Sequence, residues 1–378
     1  MSDFVAARAT PPAMLQGFTP EGLLVHCERE GFAVGITIDE ARKVIAHATQ
    51  RGHDTGRDIA NVRRHVRDEV FANIGVGRFE LVERHASSVD PFVKYVFRLA
   101  DGSLIETVRI PLHKEGRFSV CVSSQVGCAL GCRFCATGTM GLVRHLAAWE
   151  IVEQVRYVAR ELREEKLGRV RGVVFQGMGE PLHNVEQVID ALGVMSHPCG
   201  LAIDARQITV CTAGMIPGIL QLAQRAPRVR LAISVTTARR DVRRSLMPIE
   251  KRYDIGAVLD AARVFQKANG RMVMLSFALM RGVNTSLEDA RALSELIGTG
   301  SEDPLPVRLS LVEHNTFEGS DFERPDAEEY QRFVDELMRL GVPVVRRYSG
   351  GGDIGAACGQ LVTEGRDRGA SATLQPES

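Results

Sequence analysis

From residue 119 onward, short apolar runs alternate with amphipathic stretches at a spacing of about thirty residues. The apolar runs predict strands over 119–124, 172–176, 207–211, 230–235, 272–278, 307–312 and 343–347. Between them, 147–165 carries Ile151, Val152, Val155, Val158, Ala159 and Leu162 at three- and four-residue steps, the period of a helix with one apolar face. Stretches 254–268 and 286–297 read the same way. Strand–helix alternation predicts parallel βαβ units. Six such units predict an α/β fold: a partial (β/α)6 barrel with its reactive groups at the carboxyl ends of the strands. The region before it differs. Helical patterns at 37–51 and 58–74 sit among polar linkers, and a strand pair, 92–99 and 104–110, is joined at Asp101-Gly102, a hairpin signal. The chain thus divides into a small helical accessory domain (1–95), a barrel core (96–361) and a polar tail (362–378) expected to be disordered.

Composition adds exclusions. With 44% hydrophobic and 25% charged residues, the 378-residue chain is ordinary for a globular protein. No apolar run approaches the ~20 residues that span a bilayer, and the first twenty residues lack a basic-then-apolar leader pattern. A cytosolic location is expected. Eight cysteines, four of them between positions 121 and 135, do not resemble a secreted disulfide framework. Net charge is zero. Residues 225–244 nevertheless hold seven arginines (Arg225, Arg228, Arg230, Arg239, Arg240, Arg243, Arg244) against one acid, Asp241. Such a run is a solvated face or a surface for a polyanion such as RNA.

The strongest chemical signal is Cys128, Cys132 and Cys135, spaced C-x3-C-x2-C on the loop after the first barrel strand. Three thiolates on one loop can hold three corners of a 4Fe–4S cluster and leave one iron open for catalysis. Zinc is the competing reading, with His113 or His145 as a fourth ligand. The x3-then-x2 spacing is unusual for a zinc knuckle, and Phe134 before the last cysteine resembles the signature of radical S-adenosylmethionine (SAM) enzymes. One βα unit later, Gly177-Met178-Gly179-Glu180-Pro181 follows a strand end, where glycines admit close backbone approach to a ligand and Glu180 can hold an ammonium. Cys358 follows the run Ser349-Gly350-Gly351-Gly352, read as a mobile hinge that lets it swing into the barrel mouth. Cys121, on the strand leading into the loop, is either a core thiol or a group facing the barrel interior. Cys27 and Cys199 read as buried or surface thiols.

Three strings together resemble the RlmN/Cfr family of radical-SAM RNA methyltransferases: Cys121 through Gly138, the Gly-Met-Gly-Glu-Pro motif, and Asp353-Ile354-Gly355-Ala356-Ala357-Cys358-Gly359-Gln360-Leu361. The resemblance runs from about Pro91 to Leu361. It implies methylation of an adenine ring carbon, most simply carbon 2, in 23S rRNA alone or in tRNA as well; the alternatives are carbon 8, a different RNA target, or a radical-SAM enzyme acting on a non-RNA substrate. One SAM would methylate Cys358. A second, on the open iron, would yield a radical that takes hydrogen from that methyl group. Cys121 would then attack Cys358 to release the product as a disulfide, and Glu106 would remove the ring proton. Gly179, Glu180, Cys211, Ser234, Val235, Thr236 and Asn315 would contact SAM. Ser234-Val235-Thr236 replaces the family's Ser-Leu-His, and Cys211 stands where serine is usual. The implied partners are RNA, an external electron donor and a disulfide reductant. No membrane partner is expected, and no oligomeric interface is legible, so a monomer is the expectation.

Overall fold

The computed structural model describes residues 11–53, 55–57 and 59–361. The expected tail, 362–378, lies outside the described residues. Twelve strands follow in chain order: β1 Glu80–Ala86, β2 Val93–Arg98, β3 Leu104–Pro111, β4 Arg117–Cys121, β5 Gln125–Cys128, β6 Gly141–His145, β7 Arg169–Phe175, β8 Ile208–Thr212, β9 Arg230–Ser234, β10 Val273–Leu279, β11 Val307–Glu313 and β12 Val344–Arg346. Ten form one sheet, ordered β1-β2-β3-β4-β7-β8-β9-β10-β11-β12, and β5 pairs with β6 as a separate ribbon. Every pair from β4 to β12 is parallel. Parallel neighbours need a crossover. Helices Ala148–Glu164, Val185–Ser196, Ile216–Arg225, Ile255–Asn269, Leu287–Ile297 and Ala327–Arg339 each bridge one pair. All seven strands expected from the apolar runs are present, and so are helices at 147–165, 254–268 and 286–297.

Cys121 of β4 and Val312 of β11 line one cavity, although four strands separate them in the sheet. The sheet therefore curls around an interior. β12 is its edge and no ladder joins it to β4, so the barrel stays open. The first crossover helix shows why the alternation was readable: Ile151, Val152, Val155, Val158 and Leu162 are all fully buried. Each such side chain contributes about 1.5–3 kcal/mol on burial.

Two elements depart from expectation. β1, Glu-Leu-Val-Glu-Arg-His-Ala, is largely exposed and pairs antiparallel with β2; it carries no apolar face for a pattern to reveal. The helix expected over 58–74 is confined to Arg64–Asn73. Upstream, Leu15, Leu23, Val44, Ile45, Val66 and Val70 form a hydrophobic cluster of their own. No helix among the described residues is long and apolar enough to cross a membrane.

Candidate active site

β4 ends at Cys121, and the chain turns at once into the β5–β6 ribbon that carries the cysteine loop. The turn is fixed by buried hydrogen bonds. The Ser123 N–H donates to Gln154 Oε1 at 2.8 Å, and Ser123 Oγ donates to the Glu106 carbonyl at 2.6 Å. Arg144 of β6 locks the ribbon to the barrel. It meets both Glu150 oxygens at 2.8 Å and Asp101 at 2.8 Å. Gly138 closes the loop, because a Cβ there would lie 2.6 Å from the Cys132 carbonyl oxygen.

Cys128, Cys132 and Cys135 line one cavity at the carboxyl ends of the strands. Gly179, Glu180, Cys211, Ser234, Thr236 and Asn315 line the same cavity, so the structure gathers nearly the whole expected site. Among the expected SAM contacts, Val235 is the exception. Its side chain is fully buried in the core, its N–H donates to the Ser276 carbonyl, and its carbonyl accepts from Arg243 Nε and the Thr237 N–H. Strand alternation sends Ser234 inward and Val235 outward. Gly179 has φ of 97° and sits against Gln125, where a Cβ would come within 2.5 Å. Glu180 caps the next turn: its carboxylate accepts from the Leu182 N–H at 3.0 Å and the Ala213 N–H at 2.8 Å. Burial nevertheless pushes its carboxyl up to about 7.

The donor set fits an iron–sulfur cluster. Burial pushes the Cys128 thiol up to about 12 and raises Cys132 and Cys135, and each of the three is raised further by a neighbouring thiol of the set or by Cys358. Thiols crowded in a dry site resist ionisation, and the positive charge of a bound metal offsets that cost. His113 and His145 do not line this cavity.

Cys358 lines the same cavity and also a second chamber, which it shares with Cys121, Arg347 and Gln176. Burial, then the nearby Cys358 and Cys211, raise the Cys121 thiol. Arg347 donates to Gln176 Oε1 at 3.0 Å, and its charge is coupled to all three thiols. The hinge expected at 349–352 is instead a clamped loop. Asp90 Oδ2 accepts from Tyr348 Oη at 3.0 Å and the Gly351 N–H at 2.9 Å, and Asp353 accepts from the Ser88 N–H at 3.0 Å. A Cβ on Gly350 would lie 2.4 Å from the Phe92 ring, so this glycine serves close packing, not motion. Asn315 Nδ2 donates to Ser349 Oγ at 2.9 Å and to the Cys358 carbonyl at 3.1 Å. The Ala136 N–H, beside Cys135, donates to the Gly359 carbonyl at 2.7 Å. The cysteine loop and the Cys358 loop are thus bonded to each other.

Similarity to known proteins agrees with this arrangement. The Radical SAM superfamily profile matches residues 122–293. A "Probable RNA methyltransferase" of Sorangium cellulosum is 46% identical, over 87% of this chain and 88% of that protein. A "Probable dual-specificity RNA methyltransferase RlmN" of Heliobacterium modesticaldum is 44% identical, over 74% of this chain and 72% of that protein. The chain belongs to the RlmN family of radical-SAM RNA methyltransferases. The crystal structure of a radical SAM methyltransferase from Sphaerobacter thermophilus shares the fold, with a TM-score of 0.82 and 34% identity over 93% of this chain and 99% of that one.

Within this RlmN-type site, Glu106 is buried on β3 and ion-paired with Lys94 at 3.1 Å. Val108 is the register partner of Cys121, so two-residue alternation puts Glu106 on the same sheet face. It does not line the chamber between Cys121 and Cys358. The arginine run of 225–244 does not form one surface. Arg225 pairs with Glu186, Arg239 with Asp289, and Arg240 and the fully buried Arg243 with Glu250. Gln125, Gln176 and Arg347 belong to the site and were not anticipated; only the basic pair Arg346-Arg347 ahead of the glycine run hinted at one of them.

Proposed function

We propose that this enzyme methylates carbon 2 of an adenine in 23S rRNA, and also in tRNA, through an S-methylcysteine on Cys358. The observation that carries the reading is the position of Cys358, on the wall of the cysteine-lined cavity and of the chamber that holds Cys121. The relatives named as dual-specificity RNA methyltransferases support an RNA substrate. Cys128, Cys132 and Cys135 would hold a 4Fe–4S cluster, and Gly179, Glu180, Ser234 and Thr236 would bind SAM. When bound, these groups supply the methyl group and a one-electron route to abstracting hydrogen from it.

The chain's own residues then have separate tasks. Cys358 Sγ carries the methyl carbon, and the Asp90 and Asn315 contacts hold its loop in place. Glu106 accepts the proton lost from the adenine ring, and its contact with Lys94 at 3.1 Å positions that carboxylate. Cys121, having given up its proton, attacks Cys358 Sγ. The S–S bond forms as the bond from Cys358 Sγ to the product's methylene carbon breaks; the electron pair leaves on that carbon, which takes up a proton from solvent to become the methyl group. An external thiol reductant restores both cysteines, and an external donor supplies the electron. The reading includes a cytosolic monomer in which residues 1–95 act as an accessory domain.

Nucleoside mass spectrometry of RNA from cells with and without this protein tests the assignment. Loss of 2-methyladenosine in the deletion is the expected result. Loss of 8-methyladenosine would move the chemistry to carbon 8, and an unchanged RNA profile would remove the RNA reading altogether.

A further inference from the structure

Among the described residues, five that are not glycine have a left-handed backbone: Ala33, Asn61, Lys166, Ala202 and Thr236. Of these, Thr236 alone has a branched β-carbon, and it alone lines the cysteine-lined cavity. Its φ is 62°. A branched side chain crowds the backbone in that region, so a threonine stays there only where its surroundings impose it. The turn is also tight. The Thr237 N–H donates to the Val235 carbonyl at 2.7 Å, which closes a three-residue turn centred on Thr236.

Two buried side chains clamp this turn from opposite sides. Arg243, fully buried on the helix Arg240–Leu246, donates from Nε to the Val235 carbonyl at 3.1 Å. Its Nη2 donates to the Ala213 carbonyl at 2.8 Å and the Ser234 carbonyl at 3.4 Å. Burial opposes the charge of this guanidinium, and buried Glu250 sustains it. A planar guanidinium spans several acceptors at once, which a point-like ammonium does not. Beyond the turn, Asn284 is fully buried in the loop after β10. Its Nδ2 donates to the Thr236 carbonyl at 2.6 Å and the Ala278 carbonyl at 2.7 Å, while its Oδ1 accepts from the Met280 N–H at 2.8 Å. Neither Arg243 nor Asn284 lines the cavity, so each can reach it only through the backbone it holds.

We propose that Arg243 and Asn284 are positioning residues for SAM: together they hold Thr236 in its left-handed conformation and so fix the stretch of cavity wall formed by Ser234 and Thr236. The inference rests on the SAM assignment above and adds the groups that keep that wall in shape. The strain at Thr236 is maintained by the clamp, and the clamp is buried where no ligand touches it.

Equilibrium dialysis of SAM against the reconstituted holoenzyme, arranged as double-mutant cycles, tests the clamp. Arg243→Lys keeps a charge opposite Glu250, and Asn284→Ala is an independent cut on the other side of the turn; either decides the case if the other fails to fold. Each should weaken SAM binding about tenfold, the worth of one strong hydrogen bond, with iron content kept. Glycine takes a positive φ without strain, and Thr236→Gly alone sets the baseline for the lost side chain. In that background the same two changes should weaken binding by about twofold or less, because the turn no longer needs the clamp. Equal losses in both backgrounds would mean that neither residue acts through Thr236 and would overturn the proposal, as would unchanged SAM affinity in Arg243→Lys and Asn284→Ala. If wild-type holoenzyme binds no SAM, the assignment of the cavity fails and takes this inference with it.

Discussion

At the scale of single residues, the proposed chemistry rests on thiols whose surroundings differ. Cys358 is partly exposed between two cavities, whereas Cys121 and Cys211 are buried. Cys358→Ala should abolish methyl transfer while iron content and the visible spectrum of the reconstituted cluster stay normal. Cys121→Ala should leave RNA covalently attached to the protein, seen as a nuclease-sensitive band shift in a denaturing gel; free turnover in that variant would remove Cys121 from the release step. The spacing of three cysteines and the late Cys358 were legible because each motif is a short contiguous string. The bond from Asn315 to the Cys358 carbonyl and the approach of Arg347 to three thiols were not, since each joins segments that only the folded sheet brings together. Val235 shows the converse: a motif can name three neighbours while strand alternation admits only two of them to the cavity.

At the scale of elements, the β5–β6 ribbon and the 349–358 loop set the site's geometry. The ribbon hangs on Arg144, whose side chain is buried against fully buried Glu150. Arg144→Met would strand that carboxylate and should cost about 3–5 kcal/mol of stability by denaturant titration. Asp101, on the same arginine, adds a pH dependence. Burial opposes its ionisation, but Arg144 and Ser103 prevail and hold its carboxyl down to about 2. A depressed carboxyl stabilises the fold above the unfolded value near 4 and loses that contribution as pH falls toward 2. Wild type should therefore lose stability through that window more steeply than Asp101→Asn; parallel pH profiles would contradict this. Gly179→Ala combines a positive φ with a 2.5 Å approach to Gln125 and should abolish SAM binding, as read by equilibrium dialysis. The hinge expectation for 349–352 failed for a physical reason: glycine permits mobility, but it also permits contact, and Asp90 and Phe92 occupy the space.

At the scale of the whole molecule, strand–helix alternation foretold the parallel sheet because buried apolar runs leave a periodic trace. The curl of that sheet and its open edge left no such trace, since both depend on register between distant strands. Charge behaved likewise. Within the contiguous arginine run, Arg225, Arg239, Arg240 and Arg243 are taken up in ion pairs with acids of other elements, which the run itself does not show. The central claim is that one methyl group passes through Cys358 on its way to adenine. Holoenzyme loaded with methyl-deuterated SAM, then chased with unlabelled SAM and 23S rRNA, tests it by peptide and nucleoside mass spectrometry. The account predicts label first on the Cys358 peptide and then on 2-methyladenosine; labelled RNA with Cys358 never methylated would contradict it.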